Sequence, residues 1–151
     1  MDVVVALEHL ALGLQVALSW QNLAAALAGA TLGTLIGVLP GLGPVATMAM
    51  LLPSVYAMEV TPALIMLAGI YYGAQYGGST TSILLNVPGE ASSVMTAVDG
   101  HAMARQGRAG VALAVAALGS FVAGTVGTAV LALLAAPLAA VALAVGASEN
   151  F

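Results

Sequence analysis

Four consecutive hydroxyl residues, Ser79, Thr80, Thr81 and Ser82, follow the glycine pair Gly77-Gly78 and lead through Ile83-Leu84-Leu85 to Asn86, Pro88 and Gly89. Ser and Thr oxygens cap free backbone N–H groups and glycine lets a chain turn into them, so this order predicts a helix N-terminus at the hydroxyls. Pro88-Gly89 then stops the segment. Such an end sets hydroxyls, N–H groups and the positive pole of a helix dipole at one point, which attracts a carboxylate without a buried cation. Ser79, Thr80 and Thr81 are therefore candidate substrate ligands. Asn86, Pro88 and Gly89 offer a side-chain amide oxygen and unpaired backbone carbonyls suited to a cation. The hydroxyls could equally bond back to their own helix and bind nothing. Both readings stay open at this point.

A second break lies upstream, in Leu39-Pro40-Gly41-Leu42-Gly43-Pro44. Each proline removes a donor and clashes with the preceding turn, so no α-helix continues through it. Carbonyls freed there, at Pro40 and Gly41, are candidate Na⁺ ligands, and Gly41 and Gly43 are candidate substrate contacts. A tight turn outside the membrane is the competing reading, and the apolar surroundings argue against it.

Composition sets the class of protein that must position these residues. Hydrophobic residues make up 62% and charged residues 5%, with a mean hydropathy of +1.10. A soluble domain carries about a quarter charged residues, so this is the profile of an all-α integral membrane protein. The absence of cysteine removes disulfides, thiolate nucleophiles and Cys-based metal sites. No Cys/His/acid cluster at metal spacing, no Gly-x-Ser-x-Gly elbow and no phosphate loop occurs, and His9 and His101 both sit in polar flanks. These residues argue against an enzyme, a cofactor, or any metal beyond a possible Na⁺. Two arginines are too few for nucleic-acid binding.

Taken in order, residues 1–22 read as an interfacial or half-membrane helix closed by Trp20-Gln21-Asn22, since Trp favours headgroup depth. Acidic residues at Asp2 and Glu8, with no Lys or Arg before Arg105, do not fit a secretory signal. Residues 23–89 read as spanning and broken helices. Gly29, Gly33 and Gly37 share one helical face, as do Gly69, Gly73 and Gly77, and such faces let backbones approach closely. A short helix over 45–58 is expected to be interrupted at Pro53, and Pro62 to open the next helix. Glu59 reads as a solvated acid between segments. Residues 90–110 form the polar loop, with Asp99-Gly100 a turn; both arginines lie here, which places it in the cytoplasm. Residues 111–151 hold a spanning helix broken at Pro137 and the start of another element. The apolar run closes at Ser148-Glu149-Asn150-Phe151 without a polar tail, which reads as a piece of a longer membrane protein or an artificial end. The fold expected is a polytopic helical bundle with broken or re-entrant helices, one half of an internally repeated transporter.

Three stretches together, Gly37-Val-Leu-Pro-Gly-Leu-Gly-Pro44, Tyr72-Gly-Ala-Gln-Tyr-Gly-Gly-Ser-Thr-Thr-Ser-Ile-Leu-Leu-Asn-Val-Pro-Gly-Glu90 and Asp99-Gly-His-Ala-Met-Ala-Arg-Gln-Gly107, resemble the large membrane subunit of the tripartite tricarboxylate transporters, the TctA family. The likeness runs from about Gly29 to Phe151, and the family protein is much longer, so this chain resembles its N-terminal portion. The resemblance implies a multi-pass secondary transporter of the bacterial inner membrane, working with a small membrane subunit and a periplasmic solute-binding protein that delivers a carboxylate. It implies symport driven by Na⁺ or H⁺, and a second half of the site in the remainder of the chain. Its motif residues fall on Pro40, Gly41, Gly43, Ser79, Thr80, Thr81, Asn86, Pro88 and Gly89. The alternative is a membrane scaffold or assembly subunit packed through its glycine faces, which needs neither break.

Overall fold

The computed structural model describes residues 3–144, all of whose regular structure is helical. Helix α1 spans Val3–Ala17, α2 Trp20–Gly37, α3 Pro44–Val55 and α4 Val60–Leu85; a 3-10 turn at Ala91–Ser93 leads into α5, Val94–Arg105, and α6, Ala109–Ala144. By contact density the chain divides at Ala117, with residues 1–117 forming one compact unit.

The first unit is built on α2 and α4. A methyl group added at Gly29, Gly33 or Gly37 would strike the backbone of Met66, Ile70 or Ala74 respectively. One at Gly69, Gly73 or Gly77 would strike Ala26, Ala30 or Thr34. Both series climb in steps of four, so the two helices run parallel, glycine face to glycine face. The carbonyls of Met66, Ile70 and Ala30 occupy the space that side chains would fill. Cα–H groups of the opposing glycines face them, contacts worth about 0.5–1 kcal/mol each. This is the small-residue packing expected from the spacing.

Parallel neighbours need a return connection, and α3 supplies it. Its 12 residues rise only about 18 Å, against about 27 Å for α2, so loops at both ends cover the rest. Val55 joins Ala25, Met66 and Ile70 in the buried core, with Met48, Leu51 and Leu67 packed against it. Pro53 lies in the last turn of α3, which ends at Val55. Pro62 lies in the first turn of α4, where its missing N–H has no partner to lose. At the other end of α2, Asn22 is buried and its amide donates to the Val16 carbonyl at 2.8 Å. That bond holds the elbow at Leu18-Ser19, across which α1 and α2 bend by 71°. Trp20 projects from the elbow, 83% exposed.

Two expectations for the second half are corrected. Residues 90–108 are not a loop: Val94–Arg105 is helical, and Asp99-Gly100 lies within it. Gly100 meets the Ile83 side chain, where a methyl group would come within 2.7 Å of Ile83 Cγ1. The glycine therefore serves close packing of α5 on α4, and that tertiary contact overrides the turn propensity of the dipeptide. The turn comes later, at Gly107 (φ +78°), where the N–H groups of Gly107 and Arg108 bond the carbonyls of Ala104 and Met103 in a Schellman motif. Likewise Pro137 does not end its helix, because α6 continues to Ala144; long apolar helices tolerate proline where the freed groups find other partners. The element expected from residue 138 is thus the end of α6 as far as residue 144, and its remainder lies outside the described residues.

Among the described residues, one helix, Ala109–Ala132 within α6, is by itself long and apolar enough to cross a membrane; Glu8–Ala17 with Trp20–Gly37 qualifies as a bent pair. Helix α4 has the length, at 26 residues, but carries three tyrosines, Gln75 and four Ser or Thr hydroxyls between Tyr71 and Ser82.

The glycine seam makes a direct test. Gly73→Val in the full-length protein should lower its thermal stability in detergent by the upper end of the roughly 1–3 kcal/mol typical of overpacking, or prevent assembly. Gly13→Ala, inside α1 at a position with nothing within 4 Å, should leave the melting temperature unchanged or raise it slightly through helix propensity.

Candidate functional site

The two chain breaks converge on one turn of α4. Helix α2 ends where its C-terminus reaches Gly77: a methyl group there would lie 2.7 Å from the Thr34 carbonyl oxygen and from Val38 N. On the adjoining residue, Gly78, the segment after α4 folds back, and a methyl group on Gly89 would lie 2.7 Å from Gly78 Cα. Gly77-Gly78 is thus the meeting point of the break after Gly37 and the break after Leu85. Helix α4 projects eight residues beyond Gly77 to Leu85, about 12 Å, and the hydroxyl run occupies that projection.

The expected helix N-terminus at Ser79 is absent. Helix α4 starts at Val60, so the hydroxyls lie in its last two turns, near the negative pole of its dipole. Strong burial of the Gly77–Ser82 backbone against two neighbouring segments keeps it helical despite the glycines. Three of the hydroxyls bond back to their own helix. Thr80 donates to the Tyr76 carbonyl at 2.9 Å, Thr81 to that of Gly78 at 2.9 Å and Ser82 also to Gly78 at 2.8 Å. Thr81 and Ser82 are fully buried, whereas Ser79 and Thr80 are half-buried. Ser79 makes no such bond, so its hydroxyl proton stays available.

A helix N-terminus does occur at the other break. Gly41 has φ +87°, which glycine adopts without strain, and Gly43 leads into Pro44 at the start of α3. The buried Thr47 secures this end, its N–H and Oγ1 both bonding the Gly43 carbonyl at 3.0 and 3.1 Å. The Leu39 carbonyl accepts from Leu42 at 3.2 Å. The break therefore presents the N–H-rich pole of α3, and the Gly43 carbonyl is already engaged. At the far end of α4, Asn86 takes the left-handed conformation (φ 58°, ψ 29°) as the C-cap, with its side chain exposed. Asparagine tolerates that conformation better than other side chains. His101 Nδ1 lies 3.0 Å from the Ile83 carbonyl oxygen, tying α5 to this terminus.

Two features were not legible as parts of a site. Gly78 reads as one more glycine, yet it is the contact for Gly89. Glu90 reads as a charge of the polar loop, yet its Oε1 is buried and meets no hydrogen-bond partner. The only hint in the sequence is its place directly after Pro88-Gly89.

A cavity of about 330 Å³ opens between the end of α4, α5 and the start of α6, lined by Ile83, Met95, Thr96, Asp99, Met103 and Ala112 among others. Its walls are apolar, and its one charged group is an acid. It does not suit a carboxylate. Among the described residues no three His, Cys, Asp or Glu side chains group as a metal site.

This architecture is that of a helical protein in which two chain breaks meet on one turn of α4 and, among the described residues, one helix is by itself long and apolar enough to cross a membrane. The chain matches the tripartite tricarboxylate transporter TctA family over residues 23–151, and it belongs to that family. A relative, described as an uncharacterized 52.8 kDa protein in the TAR-I ttuC' 3' region of Agrobacterium vitis, is 60% identical over 145 residues. The matched region is 96% of this chain and 29% of the relative, so the chain spans under a third of that relative's length. No solved structure matches it.

The geometry at Gly78 is asymmetric and can be tested. Gly89→Ala drives a methyl group into backbone and should destabilise the full-length protein by about 1–3 kcal/mol. Gly78→Ala meets Gly89 Cα at 3.5 Å, ordinary contact, and should be neutral or gain up to about 1 kcal/mol from helix propensity. Thermal unfolding of both variants in detergent decides it.

Proposed function

We propose that this chain is part of the membrane subunit of a secondary transporter that takes up carboxylates, tricarboxylate or dicarboxylate, through a multi-pass bundle in the bacterial inner membrane. A small membrane subunit and a periplasmic binding protein complete the system, and a Na⁺ or H⁺ gradient drives it. The observation that carries this reading, beside family membership, is the convergence of two broken segments on Gly77-Gly78. Paired interrupted helices are how transporters expose backbone to substrate and ion. Residues 90–108, with both arginines, face the cytoplasm in this reading, and the remainder of the chain supplies the other half of the site.

The hydrogen bonds divide the candidate ligands by role. A carboxylate needs donors, which Ser79, Asn86 and the N–H groups around Gly41 and Gly43 can give. Thr80 and Thr81 direct their protons at their own helix, so they line the site with oxygen lone pairs. Those oxygens, with Asn86 and the backbone of Pro40, Gly41, Pro88 and Gly89, suit a cation better than an anion. A scaffold would use the glycine seam alone and would need neither break.

The test is uptake of labelled citrate and a dicarboxylate panel by proteoliposomes holding the full-length protein, its small subunit and its binding protein. Accumulation should require the binding protein and an inward ion gradient. Ser79→Ala should lower uptake efficiency about tenfold or more, the loss of a hydrogen bond to a charged group. Thr80→Val, which removes an oxygen lone pair but no free donor, should leave the KM for the carboxylate within about threefold of wild type while raising the Na⁺ concentration needed for uptake. Absence of uptake for every acid, with correctly assembled protein, would return the chain to the scaffold reading.

A further inference from the structure

Glu90 is fixed in place by its own backbone. Its N–H donates to Ser93 Oγ at 3.3 Å, and its carbonyl accepts from Ser93 Oγ at 2.9 Å and from Ser93 N at 3.2 Å. Ser93 is 1% exposed. The preceding Gly89 lies against Gly78, where a methyl group on Gly89 would come within 2.7 Å of Gly78 Cα. The carboxyl group is thereby set beside α4, with Oε1 3.9 Å from the point where a Gly78 side chain would begin. Oε1 is fully buried and accepts no hydrogen bond.

No group on the surrounding elements answers that oxygen. Helix α4 brings Tyr71, Tyr72 and Tyr76 as its titratable residues, and α5 brings Asp99, His101 and Arg105. None of them bonds Oε1. His101 is directed at the Ile83 carbonyl, and Arg105 and Arg108 are exposed. The Glu90 side chain accepts from the Ser93 N–H in a capping box, which leaves Oε1 as the buried oxygen without a donor. Such an oxygen costs free energy, and a cation removes that penalty by coordinating it. Space remains beside the oxygen because residue 78 is glycine. Next to it, the Thr81 and Ser82 hydroxyls, both bound to the Gly78 carbonyl, make this turn rich in oxygen and poor in N–H donors.

We propose that Glu90 holds a monovalent metal cation, Na⁺, at its buried Oε1 beside Gly78. The site rests on this geometry; its role, carrying the coupling ion, rests on the transporter reading above. Glu90 binds the ion where the two breaks meet, so movement of either break alters the environment of the carboxylate and links ion occupancy to the substrate path.

The first measurement uses the unmutated full-length protein and needs no transport. Dicyclohexylcarbodiimide reacts with protonated carboxyls in apolar surroundings, and mass spectrometry locates the adduct. Glu90 should be modified at acidic pH, whereas the exposed Asp99 should not. Protection by Na⁺ at constant pH is the expected result; protection only by raising the pH, which any carboxyl shows, overturns the site. No modification at any pH, or modification indifferent to both, overturns the site. The second measurement compares wild type with Glu90→Gln in the reconstituted system. The variant should lose gradient-driven accumulation and retain substrate exchange across the membrane within about twofold. Accumulation equal to wild type overturns the proposal, as does loss of exchange together with accumulation in correctly assembled protein. Should Glu90→Gln fail to assemble, the labelling result decides alone. Should the wild type transport nothing while Glu90 is protected by cation, the transporter reading falls and the cation site stands.

Discussion

The close approach of α2 and α4 is the constraint from which the rest of this unit follows. Six glycines, three on each helix, put backbone against backbone, and the parallel register of those contacts dictates what the chain does next. Two parallel helices adjacent in sequence cannot be joined by a hairpin turn; the chain must travel back the length of the pair. It does so with α3, a helix too short for the task, and with irregular segments at both ends. The break at Leu39–Gly43 is therefore a consequence of the packing as much as of its prolines. The helices commit to a parallel seam, and the return path must bend to meet it.

The same seam explains why the site lies where it does. Helix α2 has 18 residues and α4 has 26, so a parallel pair in register at Gly29 and Met66 leaves the end of α4 uncovered beyond Gly77. Something has to pack on that projection, and the chain uses its own continuation. The Pro88-Gly89 segment turns back onto Gly78 while Gly100 of α5 seats against Ile83. Thr81 and Ser82 become buried as a result. Once buried, their hydroxyls need acceptors, and the nearest unshared oxygens are carbonyls one helical turn back. The internal bonding of Thr81 and Ser82 is thus the outcome of burial on both sides; the half-buried Thr80 bonds back as well, to Tyr76.

Local patterning made much of the fold legible. The four-residue glycine spacing identified the faces that meet, and the proline pairs identified where helices stop, because both signals act on the backbone directly. Asp99-Gly100 misled for the opposite reason. Its turn propensity is a weak local preference, and a contact between residues 83 and 100 overrode it. The hydroxyl run misled in a subtler way. Glycines before serines resemble a helix start, and nothing local reveals that α4, begun at Val60, is already about five turns old when it reaches them. Dipole direction is a property of the whole helix, so misplacing one end by many residues reversed the electrostatic argument. Glu90 could not be picked out at all, since the burial of its oxygen is created by Gly78, which lies on another element.

The relocation of the helix dipole changes the chemistry without removing the site. With the positive pole at Ser79, the hydroxyls and backbone would all have served one anion. In the structure the positive pole nearest the breaks belongs to α3, beginning at Pro44, while the turn at Gly78–Ser82 presents oxygens and a carboxylate. Anion-attracting and cation-attracting groups are thereby placed on different segments, the first on the break after α2 and the second on the break after α4. Both segments rest on the same two glycines. In the transporter reading proposed above, a carboxylate on the first segment and a monovalent cation on the second would attract one another, so their occupancies would be coupled through Coulombic attraction and through the shared contact at Gly77-Gly78.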